Sequence, residues 1–160
     1  MRSIPSGFVR ISLAAAMTLG LACSSASSSK QPQILSTTHS GISEESIGQQ
    51  FGTMKVGKVA TDPAYGFSEK MPVSVGGGFG DGAHNVYRYL YSLLGPAGQK
   101  VHYDRIGTCC PFKTPNSPFD GEGILEVYEI SYDGGKPARL YFNWYDSGEI
   151  LIPAGLSGRK

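Results

Sequence analysis

Two turn signals near the C-terminus restrict this chain more than any other feature. Asp133-Gly134-Gly135 separates Ile124–Tyr132 from Arg139–Tyr145, and Asp146-Ser147-Gly148 separates the latter from Glu149–Ile152. The runs between these turns have the composition and alternation of strands. Ile124, Tyr128, Ile130 and Tyr132 largely face one way, with Glu126 intervening, and Leu140, Phe142 and Trp144 share a face on the next run. Turns this tight join antiparallel neighbours, because a parallel crossover needs a dozen or more residues. The C-terminal region is therefore expected to be a three-stranded antiparallel meander.

Upstream, the spacing predicts a helix over Ala83–Leu94. Val86, Tyr89, Leu90, Leu93 and Leu94 recur at helical intervals, Asp81 is placed to cap the start, and Gly95-Pro96 stops it. Met54–Ala60, Pro72–Val75 and Lys100–Thr108 read as short strands, Gly76–Gly82 as a glycine-rich loop and Cys109–Gly123 as a proline-containing loop. With 22 glycines, 10 prolines and only 17% charged residues, turns and strands are favoured over long helices. The fold class expected is α+β, an antiparallel sheet of about five strands with one covering helix. Gly78-Phe79-Gly80-Asp81-Gly82-Ala83 matches a G-x-G-x-x-A fingerprint with Asp104 downstream. The chain lacks the repeated strand–helix units of a dinucleotide fold, so no cofactor is implied.

The N-terminus reads as an export address. Arg2 and Arg10 precede or open onto an uncharged, largely apolar run, Ile11–Ala22. That run is shorter than the roughly 20 residues of a membrane-spanning helix but suits a signal peptide. Leu19-Gly20-Leu21-Ala22-Cys23 resembles the lipobox of bacterial lipoproteins, with Gly20 where that family usually has Leu. The resemblance implies cleavage before Cys23 and its acylation, palmitate included. A competing site for an ordinary signal peptidase follows Ser24-Ser25-Ala26. Ser24 follows the cysteine where lipoproteins kept at the inner membrane have Asp, so the resemblance to lipoproteins implies onward transport to the outer membrane, and the location expected is the outer membrane, facing the periplasm. The organisation expected is 1–22 lipoprotein signal peptide, 23–50 flexible tether and 51–160 a single globular domain. A short helix near Glu44-Glu45-Ser46-Ile47 is the one structured element considered within the tether. A net charge of +1 gives no electrostatic footprint for nucleic acid.

The chemistry-bearing feature is Cys109-Cys110, followed by Pro111. Adjacent α-carbons lie about 3.8 Å apart across a trans peptide, against roughly 4.4–6.8 Å in ordinary disulfides. A neighbour disulfide is thus a constrained ring, a rigid turn or a redox pair. Two free thiols, a soft-metal site using His84 or His102, and a cross-link between chains are the other readings. Pro111 is expected to hold Cys110 extended. His102 and Arg105, just before the pair, are the supporting candidates, with His102 able in principle to form a thiol–imidazole pair. No residue is assigned a catalytic role and no metal site is assigned. Nine tyrosines, seven phenylalanines and one tryptophan supply mostly core, with a remainder for an exposed recognition surface.

Tyr65-Gly66-Phe67-Ser68-Glu69-Lys70-Met71-Pro72-Val73-Ser74-Val75-Gly76-Gly77, Arg105-Ile106-Gly107-Thr108-Cys109-Cys110-Pro111-Phe112-Lys113-Thr114, Tyr145-Asp146-Ser147-Gly148-Glu149 and Pro153 carry a resemblance. Together they resemble a group of small, uncharacterised bacterial exported proteins and lipoproteins with a Cys-Cys-Pro-Phe-Lys-Thr-Pro motif. The resemblance spans roughly Thr61 to Leu156 and carries no activity over. Some members are labelled phospho-octonate aldolases, but such aldolases are barrels of at least about 200 residues, which this chain cannot build. The expectation is a lipid-anchored cell-envelope module that binds an envelope protein or peptide rather than catalysing a reaction. The alternative is a redox- or metal-responsive protein, or a small enzyme, working through Cys109 and Cys110.

Overall fold

Residues 44–160 are described by the computed structural model. The expected signal peptide, the expected lipidation residue Cys23 and the expected tether up to residue 43 lie outside the described residues. Helix α1 (Glu44–Phe51) comes first, so the end of the expected tether is helical. Its Gly48 lies against the Tyr91 ring with no room for a Cβ. The Phe51 ring stacks on His84 at 4.6 Å, with Tyr87 at 6.3 Å.

Strand β1 (Val73–Ser74) follows, then helix α2 (Gly78–Ser92). The helix starts inside the expected glycine loop and ends earlier than Gly95-Pro96. Gly77 precedes it with φ 98, a left-handed conformation that suits glycine, and no side chain caps the start; Asp81 lies in the first turn instead. At the other end Leu93 turns extended, and strand β2 (Leu93–Leu94) pairs antiparallel with β6 (Ser157–Gly158).

Strands β3 (His102–Lys113), β4 (Glu122–Ser131) and β5 (Ala138–Asn143) form the main meander. The sheet order is β1-β5-β4-β3, with β1 parallel to β5 and the other pairs antiparallel. Among the described residues the architecture is α+β, with a mixed four-stranded sheet, a two-stranded sheet and two helices. The purely antiparallel five-stranded sheet is corrected accordingly. Glu149–Ile152 does not become the third meander strand, because β1 already occupies that edge of β5, Val73 opposite Phe142. Gly148 instead donates its N–H to the Ser74 carbonyl at 3.0 Å, and Ile152 bridges to Val59. That bridge is the extended pairing found in the expected Met54–Ala60 strand.

The core forms between α2 and one sheet face. Val86, Tyr89, Leu90 and Leu93 pack with Tyr128, Ile130, Leu140 and Phe142. Tyr89 meets the Phe142 ring edge-on at 5.6 Å and donates its hydroxyl to the Leu151 carbonyl at 2.7 Å. That satisfies the one polar group the tyrosine buries.

Candidate functional site

Strand β3 runs straight through the cysteine pair, where a loop was expected. It tolerates Pro111 because it is an edge strand, where a missing N–H interrupts pairing on one side only. Two irregularities bend it. Ile106 is the extra residue between Arg105 and Gly107, and Cys110 the extra residue between Cys109 and Pro111. Cys109 and Cys110 are joined as a disulfide, with α-carbons 3.7 Å apart and a trans peptide between them. Cys110 has φ 60. The extended backbone expected before Pro111 is therefore absent: the bulge residue takes the left-handed conformation instead.

The two sulfurs have different surroundings. Cys109 lines a shallow groove of about 370 Å³ whose walls include Ile106, Val127 and Tyr141 and the charged pair of positions Glu129 and Arg139. The Cys110 sulfur lies 3.0 Å from the Glu69 Oε2. Glu69 belongs to a turn held by Gly66 donating to the Met71 carbonyl at 2.7 Å and by Tyr141 of β5 donating to the Gly66 carbonyl at 2.8 Å. The sequence offered no local signal for Glu69, an acidic residue in a polar turn.

The supporting candidates do not converge on the pair. His102 faces Ser131 on β4 while Cys109 faces Leu125. Six residues of β4 separate those partners, about 20 Å of strand, so no thiol–imidazole pair or shared metal site forms. Arg105 lies opposite Tyr128, on the other face from Cys109. Its guanidinium donates to Glu126 at 3.2 Å. This bond, against the opposing effect of burial, raises the arginine's basicity. Glu126 is only 7% exposed, so its partner is a structural necessity. Pro111 stays beside the pair as the residue after the bulge.

Beyond the disulfide, five aromatic rings meet where β3, the β3–β4 loop, the start of α2 and the end of β5 come together. Phe79 touches Phe119 edge-on at 5.3 Å and is backed by Trp144 at 5.7 Å and Tyr145 at 6.3 Å. Phe112 joins Tyr145 at 5.9 Å. Phe79 is 58% and Phe119 60% exposed, the most open large apolar residues described. Sequence reasoning singled out neither. Phe79 sits among glycines and Phe119 between Pro118 and Asp120, without periodic context.

A polar network fixes this end. Asp146 accepts from the Thr114 hydroxyl at 2.6 Å, from Asn116 at 2.7 Å and from Asn143 at 2.8 Å. Burial alone would push the Asp146 carboxyl up, but the bonds from Thr114, Asn143 and Asn116 outweigh it and hold the pKa below the ordinary value. The loop carrying Phe119 is thereby tied to the end of β5.

The arrangement offers an apolar contact surface on a fixed support, beside a disulfide with the Glu69 carboxylate against its Cys110 sulfur. Comparisons with protein-family models, with curated proteins and with solved structures returned no match for this chain.

Proposed function

We propose that this chain is a lipid-anchored cell-envelope protein, held at the outer membrane through Cys23 and facing the periplasm, that works as a binding module. The observation that supports the binding role is the contact of Phe79 with Phe119, both more than half exposed. Leaving more than half of each ring in water forgoes about 1–2 kcal/mol of burial each, and clustered exposed aromatics are what partner surfaces are made of. The partner class is an envelope protein or peptide with an apolar segment. No cofactor enters this reading.

The test uses the full chain in cells, with a photo-crosslinking residue at position 119. A discrete adduct that Phe79→Ser abolishes is the expected result. Absence of any adduct, with Phe79→Ser/Phe119→Ser complementing a deletion as well as the unaltered chain, would overturn the binding role. Labelled palmitate incorporated by the parent and not by Cys23→Ala checks the anchor separately.

A further inference from the structure

The contact between Cys110 and Glu69 has an unusual feature: in the disulfide state neither atom carries a proton. A disulfide sulfur and a carboxylate oxygen both present lone pairs, yet they lie 3.0 Å apart. Reduction of the pair turns the same approach into a hydrogen bond, with the Cys110 S–H as donor and the Glu69 carboxylate as acceptor. We propose that Cys109–Cys110 is a reversible two-electron thiol–disulfide site, that a dithiol is its reductant, and that Glu69 is the positioning residue for the reduced state.

The asymmetry of the site sets the order of events. Cys109 lines the groove, where the carboxylate of Glu129 stands opposite the cation of Arg139 in the β4–β5 register, whereas Cys110 has the Glu69 carboxylate directly against its sulfur. An attacking thiolate therefore reaches the Cys109 sulfur, not the Cys110 sulfur. The new bond joins the reductant to Cys109, the Cys109–Cys110 bond breaks, and the Cys110 sulfur leaves with the electron pair. It takes a proton from solvent and donates it in a hydrogen bond to Glu69. Held as a thiol, Cys110 is a poor nucleophile and does not reclose the ring. The second thiolate of the reductant then attacks its own sulfur in the mixed disulfide. Cys109 is released and protonated, and the reductant departs as a disulfide, two electrons poorer.

The carboxylate thus favours the dithiol over the disulfide, which is the mark of a working redox pair rather than a permanent staple. The neighbouring positions fit that role. The pair lies on an edge strand, and both cysteines are partly exposed. Neither the aromatic surface nor the anchor takes part in this exchange.

The test equilibrates the full chain with mixtures of reduced and oxidised dithiothreitol. Acid quenching, alkylation and the mass of the tryptic peptide Ile106–Lys113 give the reduced fraction. The parent is expected to reduce fully while its near-ultraviolet circular dichroism stays native, and to reoxidise on return. Glu69→Ala should need a roughly fivefold higher reduced-to-oxidised ratio at half reduction, the equilibrium weight of one hydrogen bond. Glu69→Gln, which keeps a neutral acceptor, should fall between. A pair that opens only after the chain is unfolded in urea would overturn the redox site. Coincident midpoints for the parent, Glu69→Ala and Glu69→Gln would overturn the role of Glu69.

Discussion

The contrast between Gly80 and Gly82 shows how finely individual residues are matched to their places. Both lie in the first turns of α2 with ordinary helical backbone, so neither is needed for a special conformation. A Cβ on Gly80 would meet nothing within 4 Å, whereas on Gly82 it would come within 2.8 Å of the Trp144 Cβ. Gly82 lets the helix approach the end of β5 closely, and Gly80 merely faces solvent. Gly80→Ala should therefore stabilise the domain by about 0.5–1 kcal/mol through helix propensity. Gly82→Ala should cost about 1–3 kcal/mol because overpacking outweighs that gain. Urea unfolding followed by the fluorescence of the single tryptophan measures both. Equal effects of the two substitutions would refute the close approach.

At the scale of elements, the polar network is what joins the β3–β4 loop to β5. Thr114 and Asn143 are 3% and 6% exposed, and both donate to Asp146. Asp146→Ala leaves those donors without their acceptor and should destabilise by about 1–3 kcal/mol. The acid limb follows from the depressed carboxyl. Its folded pKa lies below the ordinary 3.8, so its contribution is complete above 3.8 and is lost as pH falls through the folded value. Unfolding free energy measured from pH 6 down to pH 2 should therefore fall less steeply for Asp146→Ala than for the parent. Strand β3 shows a second property of elements. Its bulges at Ile106 and Cys110, together with Pro111, interrupt a long free edge that would otherwise template pairing with another chain.

For the whole molecule, the last segment closes the fold. Ile152 is 4% and Leu156 8% exposed, and Pro153 is fully buried between them. Tyr65 and Tyr89 both bond the backbone around Leu151, from Glu149 to Leu151, and β6 pairs with β2. Each large buried aliphatic contributes about 1.5–3 kcal/mol, against a total stability of about 5–15 kcal/mol. A chain ending at Leu151 should lose its cooperative urea transition and its near-ultraviolet signal. A retained sharp transition would show that the sheet and α2 hold without this segment.

Much of the scaffold was legible in the residues themselves. The α2 stripe, the turn at Asp133-Gly134-Gly135 and the pairing of β4 with β5 are local, since periodicity and turn chemistry act over a few residues. The cysteine pair was legible for the same reason, because adjacency is a property of sequence. The tertiary structure decided the rest. Which edge of β5 was free depended on β1, some 70 residues earlier by strand register, and its arrival there displaced Glu149–Ile152 from the meander. Glu69 meets Cys110 across 41 residues, and Phe79 of α2 meets Phe119 of the β3–β4 loop. Contacts between segments so far apart arise only when packing brings them together, and no local pattern encodes which of many polar or aromatic residues will be the one that arrives.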